Sequence, residues 1–233
     1  LLTLWGVESA GGFESVFPDH SSAYARAAGA GFSPAGRTLG FSRFDSPLLD
    51  AANVARLYLP PGLDPPARFV KVARAGRVDV YDNRRVLPRA RLVDAVRSAD
   101  GPEEAERLLR DPGFDPHREV VIEGPDPPSP RSARGRVTWR LRETDRLTLE
   151  VEPETDSLLL LADTDYPGWE ASVDGVAVPI RRANLAFRAV SVPRGLHTVE
   201  FRFRPDCVRH GLLASVGFGI LSLLWILLSR RRS

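Results

Sequence analysis

WEASVDGVAVPI, residues Trp169–Ile180, is the stretch that decides the fold. Trp169, Ala171 and Val173 alternate with Glu170 and Ser172, the period of two that marks a half-buried strand. Asp174-Gly175 then supplies a two-residue turn of type I′, and Val176–Ile180 returns. The same pattern continues on both sides. Upstream, Val137, Trp139 and Leu141 alternate with Arg136, Arg140 and Arg142, and Leu147, Leu149 and Val151 repeat the alternation. Ser157–Ala162 (SLLLLA) breaks it with a continuous apolar run, which suits a strand buried on both faces. Downstream come Phe187–Val192, a turn at Pro193-Arg194-Gly195, and a last strand with His197, Val199, Phe201 and Phe203 on one face. About eight short strands over roughly seventy residues predict a compact antiparallel β-sandwich across 136–205.

Residues 1–123 read as a small mixed α/β region. Asp19–Ala30 suits a short helix with Asp19 at its N-cap. Asn53–Leu59 and Arg68–Ala73 alternate like strands, and Val78–Tyr81 and Val86–Val93 flank Asp82-Asn83-Arg84-Arg85 as a hairpin would. Pro88 assigns the second of that pair to an edge or a bulge. Gly101–Arg110 opens with Pro and two glutamates, as a helix N-terminus does, and Arg118–Ile122 is another strand. GPDPPSPRSARG (124–135) reads as a linker between this region and the sandwich. The fold class is therefore α+β, mostly β.

The sequence closes on a different kind of segment. Gly211–Ser229 holds no charge, and Arg230, Arg231 and Arg232 follow directly. As a helix this run extends on the order of 28 Å, the thickness of a bilayer's hydrocarbon core. The expectation is one transmembrane helix over 209–229 and a basic cytoplasmic tail at 230–233, with the bulk of the chain outside the cytoplasm. The start, LLTLWGVESAGG, lacks the basic and apolar regions of a signal peptide, so an upstream membrane-embedded portion is expected to carry the chain across.

Lys71 is the one lysine among 32 basic residues, and the net charge is +2. The arginines alternate with acids, as in RLRETDRLTLEVE, instead of clustering with aromatics. That pattern belongs to solvated strand faces and argues against nucleic acid as a partner. Cys207 is the sole cysteine, and the four histidines lie far apart, so neither a disulfide within the chain nor a metal site is expected. No phosphate-binding loop, nucleophile elbow or dinucleotide fingerprint is present, and no cofactor is expected.

The densest polar cluster is Asp163–Trp169 (DTDYPGW) with Asp174, Asn184 and His197. Paired carboxylates beside aromatics could serve glycan binding or hydrolysis. Turn chemistry explains the same residues without a ligand: the aspartates bound a turn, Pro167-Gly168 shapes it, and Trp169 fills the core. Asn184 suits a left-handed turn position, and His197 a satisfied histidine on an apolar face. The candidate binding residues are Tyr166, Trp169, Asp165 and Asn184. No catalytic residue is nominated.

DYPGWEASVDG (Asp165–Gly175) and PIRRANLAFRAVSVPRGLHTVEFRFRP (Pro179–Pro205), followed by an apolar helix, resemble the C-terminal region of bacterial YfhO-like membrane proteins. VYDNRRVLPRARLV (Val80–Val93) and LWGVESAGGFESVFP (Leu4–Pro18) are similar to that family's upstream segments, although Phe13 stands where the family usually has Tyr. The resemblance implies a polytopic protein similar to C-type glycosyltransferases, which take sugars from polyprenyl-phosphate carriers and glycosylate cell-envelope polymers. In that class the catalytic acid lies in the first outer loop, so none is carried over here. The implied partners are the lipid bilayer, an upstream transmembrane region, a polyprenyl-phosphate sugar and an envelope glycan. A stand-alone, membrane-anchored glycan-binding or architectural module is the alternative.

Overall fold

A computed structural model describes residues 19–32, 39–41, 44–124 and 134–206, and beyond them 211, 215, 217–219 and 222. Two sheets carry the architecture. The five-stranded sheet runs β13 (Val176–Val178), β12 (Trp169–Val173), β16 (His197–Phe203), β10 (Arg146–Pro153) and β9 (Gly135–Arg142), all antiparallel. The six-stranded sheet runs β6 (Ala90–Val93), β11 (Ser157–Leu161), β15 (Phe187–Val192), β14 (Arg181–Ala183), β8 (Glu119–Glu123) and β7 (Ala95–Ala99). Alternate residues of the two sheets interlock between them: Leu149, Val151, Val199 and Phe201 from one, Leu159, Leu161, Val190 and Val192 from the other. Burying each such side chain contributes about 1.5–3 kcal/mol.

The six-stranded sheet has a second covered face. Leu158, Leu160 and Ala189 pack there with Tyr24 of α1 (Asp19–Ala27), Leu48 of α2 (Leu48–Ala51) and Ala105 and Leu109 of α3 (Pro102–Leu109). Tyr24 meets the Phe187 ring at 4.7 Å and donates to the Leu48 carbonyl at 2.6 Å. The molecule is thus layered as sheet, sheet and helices. All five residues of β11 are buried, as a continuous apolar run requires of a strand covered on both sides.

The 124–135 segment does not divide the chain into separate sheets. β6 pairs with β11 from Leu158↔Val93 to Leu161↔Ala90, and β8 pairs with β14 at Ala183↔Ile122, so strands from before and after it share one sheet. A Pro- and Gly-rich composition marks a polar connection; it carries no information about which strands pair across it. Residues 125–133 themselves lie outside those described.

Other local expectations are corrected in the same way. The hairpin across Asp82–Arg85 does not form. β5 (Val78–Asn83) pairs instead with β3 (Arg56–Leu59) and β4 (Phe69–Ala75), the latter across Gly76-Arg77, and β6 leaves for the edge of the larger sheet. Gly76, at φ 60°, makes the tight reversal that the longer polar run only suggested. β7 and the four-residue α2 have no sequence expectation behind them. β7 and β8 pair in parallel, linked through α3, within an otherwise antiparallel sheet. A small antiparallel pair, β1 (Ala30–Phe32) with β2 (Leu39–Phe41), completes the elements.

The expected elements around Trp169–Ile180 are present. Asp174 and Gly175 have φ of 50° and 81°, the two positive angles of a type I′ turn, between β12 and β13. The chain changes from one of the two sheets to the other after β8, after β10, after β11, after β13 and after β15. Among the described residues no helix is long and apolar enough to cross a membrane. The span expected at 209–229 and the tail at 230–233 lie largely outside the described residues, as does Leu4–Pro18. The described ones among 211–222 are helical.

Candidate functional site: an arginine cleft at one end of the sandwich

Where the chain passes from β11 to β12, a cleft of about 450 Å³ opens between the two sheets. Arg89, Arg142, Asp163, Trp169 and Arg188 line it, together with Glu143, Thr144 and Thr164. The loop that frames it is locked by Gly168. At φ 105° this residue tolerates what an L side chain resists, and a Cβ there would come within 2.8 Å of the Pro205 Cα. Its carbonyl accepts the Arg204 N–H at 2.6 Å, so the loop is pinned to the end of β16.

Arg188 is the centre of the cleft. Its β15 position points it between the sheets, where a hydrophobic residue would be the ordinary occupant, and it is only 2% exposed. The guanidinium lies 3.9 Å from the Trp169 ring centroid and 5.5 Å from that of Phe201. Such stacking suits a weakly hydrated planar cation. Nη2 donates to Asp163 Oδ2 at 3.1 Å, whereas Nε and Nη1 are buried and have no acceptor. Burial draws the guanidinium's pKa down to about 10, against the opposing pull of Asp163, and it remains charged at neutral pH.

Asp163 has a second partner. Arg89 grips it with a two-point fork, Nε to Oδ1 at 2.5 Å and Nη2 to Oδ2 at 2.9 Å. Arg89 and Arg142 also approach the Trp139 ring, at 5.8 and 5.1 Å. Arg89 comes from the LPRA stretch just before β6, Arg188 from the AFRAV stretch of β15, and Trp169 from YPGW. Segments remote in sequence therefore converge: both arginines on the Asp163 carboxylate, and Trp169 on the Arg188 guanidinium.

The four residues singled out in sequence divide between two roles. Trp169 belongs to the cleft. It is half-buried at the wall, with its ring under Arg188 and tilted against Phe203 at 5.3 Å between centroids, so it is neither a fully buried core residue nor an open platform. Tyr166 is 52% exposed, 6.4 Å from Phe203. Asp165 faces away and accepts from Arg182 Nε at 3.2 Å, while its backbone carbonyl meets His20 Nε2 at 2.5 Å. Asn184 is wholly buried in a left-handed conformation, φ 47°. Its Oδ1 accepts the Val121 N–H at 2.8 Å and its own N–H reaches the Val121 carbonyl at 2.7 Å, so it fastens β14 to β8. Asn184 is a structural residue.

Arg89, Arg142 and Arg188 were not singled out in sequence, where the arginines read as solvated strand faces. The available signal was phase: Arg188 sits between Phe187 and Ala189 in a strand with hardly a polar residue.

A second cavity, about 520 Å³, opens at the opposite end of β11 and is lined by Val173, Val176, Val178, Val192, Asp174 and His197 among others. His197 Nδ1 meets Asp174 Oδ2 at 2.6 Å, and Nε2 faces the Arg194 carbonyl at 3.2 Å. Both ring nitrogens thus face acceptors. The hydrogen bond to Asp174 raises the imidazole's pKa, and the same bond lowers that of the carboxyl. Asp174 Oδ1 also accepts the Thr198 N–H at 2.8 Å. This is a clip closing the hairpin turn, with no nitrogen left over for chemistry. Among the described residues no group of three His, Cys, Asp or Glu side chains could hold a metal ion.

No curated protein and no solved structure matches the chain. Residues 136–215 match the family of the bacterial membrane protein YfhO, and that part of the chain, which holds every residue lining the cleft except Arg89, is a YfhO-like region.

Proposed function

We propose that the chain is the outer-face, C-terminal portion of a polytopic YfhO-like membrane glycosyltransferase acting on cell-envelope polymers. In this reading it shapes the acceptor side of the site and leaves the chemistry to the membrane-embedded portion. The observation that carries the proposal is the match over 136–215 to a membrane protein family, running directly into the uncharged Gly211–Ser229 and its three terminal arginines. The sandwich supplies a rigid platform, and the cleft lies at the end of β16 from which the chain leaves toward that apolar run. The bilayer and an upstream transmembrane region are its immediate partners, with a polyprenyl-phosphate sugar and an envelope glycan as substrates. Reporter fusions test it: one after Ser233 is expected to behave as cytoplasmic and one near Ser129 as extracytoplasmic. Both on one side of the membrane would refute the spanning segment.

A stand-alone glycan-binding module is the second reading, favoured by the exposed ring of Tyr166 beside the cleft loop. It predicts glycan binding by the wild type that Tyr166→Ala abolishes.

A further inference from the structure

A buried guanidinium with two unused donors calls for an acceptor. Arg188 is the clearest case among the described residues, because it lines a cleft and donates only to Asp163. Asp163 is itself already held by the fork of Arg89. The carboxylate therefore orients Arg188 without exhausting it, and leaving buried N–H donors without acceptors is costly.

We propose that this cleft binds a phosphoryl group, as a phosphate mono- or diester. Three guanidiniums line it against two carboxylates, those of Asp163 and Glu143, so the lining carries a surplus of positive charge. The guanidiniums come from both walls. Arg142 ends β9 of one sheet, and Arg188 sits in β15 of the other. A carboxylate offers two oxygens on one edge, whereas a phosphoryl group presents acceptors in several directions and can bridge the walls. The Thr144 and Thr164 hydroxyls add neutral donors at the rim. A volume near 450 Å³ admits the phosphoryl group with some of what it is esterified to. Placement of the cleft beside a membrane rests on the reading above; its phosphate chemistry does not.

The test uses the full chain in a neutral detergent, titrated calorimetrically with inorganic phosphate against sodium chloride of matched ionic strength. Saturable one-to-one binding is expected. Arg142→Gln, at an exposed position that leaves the core intact, is expected to weaken it roughly tenfold or more, the effect of one charge-assisted hydrogen bond. Arg188→Met keeps the side-chain volume and is expected to abolish binding while the melting curve shows a folded protein. Vesicles of phosphatidylglycerol in phosphatidylcholine then compete with inorganic phosphate if the group is carried by a lipid. They leave phosphate binding unchanged if it is free or carried by a polymer, and either result supports a phosphoryl site. No saturable binding of phosphate by the wild type would overturn the proposal. So would equal binding by the wild type and both variants.

Discussion

The two ends of β11 hold two carboxylate–cation pairs that look alike and differ in one respect. At the Ser157 end, His197 has an acceptor on each ring nitrogen, and Asp174 takes one bond from the ring and one from the backbone. At the Leu161 end, Asp163 is gripped by two arginines, and one of them keeps two buried donors without acceptors. The first site is closed upon itself, and its donors and acceptors account for the hairpin turn. The second is closed on the carboxylate side alone. The filled cluster explains fold, whereas the one that keeps buried donors to spare beside an open cleft points to a ligand.

The largest effects should come from Arg188. Arg188→Ala opens a cavity between Trp169 and Phe201 and removes one partner of a buried pair, so denaturant unfolding should show a loss of about 3–5 kcal/mol. Arg188→Met fills the space and leaves Asp163 held by the Arg89 fork, so it should lose much less stability than Arg188→Ala. That divergence is the sharpest check of the comparison. An Arg188→Met protein as unstable as Arg188→Ala would mean that the guanidinium is itself needed for folding.

Trp169→Ala should cost about 2–4 kcal/mol, less than for a fully buried tryptophan, because the ring is half-buried yet carries the Arg188 stack. Calorimetric melting measures it, and an unchanged melting temperature would remove Trp169 from the packing account. Asn184→Ala should lose about 2–3 kcal/mol, since the buried Val121 N–H loses its acceptor and alanine lacks the short polar side chain that lets asparagine adopt a left-handed backbone. Asn184→Gly should recover some of that loss while leaving the N–H unpaired. Equal destabilisation by the two changes would show that the backbone conformation contributes nothing.

The smallest effect belongs to the clip. The folded-state pKa of His197 is raised, so its contribution is fully present below the unfolded value of about 6.5 and fades as pH rises through the folded value. The Asp174 pKa is depressed, so its contribution is present above the unfolded value of about 3.9 and fades as pH falls through the folded one. Stability from this pair should therefore be greatest between those limits, by a small margin at so exposed a site. Melting temperatures across that range, wild type against Asp174→Asn, measure it. A pH profile unaltered by the substitution would show that the pair contributes nothing.

How far the sequence could be read follows the same line between local and long-range chemistry. Alternation and turn residues placed β12, β13, β15 and β16 almost to the residue, because each signal lies within its own segment. The SLLLL run correctly implied burial on both faces, but it could not say that β6, from the far side of 124–135, would lie against it. Pairing partners are settled by shape and burial across the whole sheet. The hairpin misplaced at Asp82–Arg85 has the same origin: Gly76-Arg77 offered the tighter reversal, and Tyr81 gained a core with Leu49, Leu59 and Phe69. Asn184 was legible because a left-handed turn is a local property. Arg188 was not, because an arginine's meaning depends on which carboxylate and which rings the fold brings to it.

The comparison can be tested by one titration that reads both ends at once. With the arginines and histidines of the full chain labelled with nitrogen-15, side-chain spectra are recorded as inorganic phosphate is added, and Arg188→Met identifies the Arg188 signals. The Arg188 guanidinium resonances should move and saturate, while the His197 imidazole resonances stay in place. Arg188 signals that remain still, or His197 signals that move equally with them, would contradict the assignment of one end of the sandwich to ligand and the other to fold.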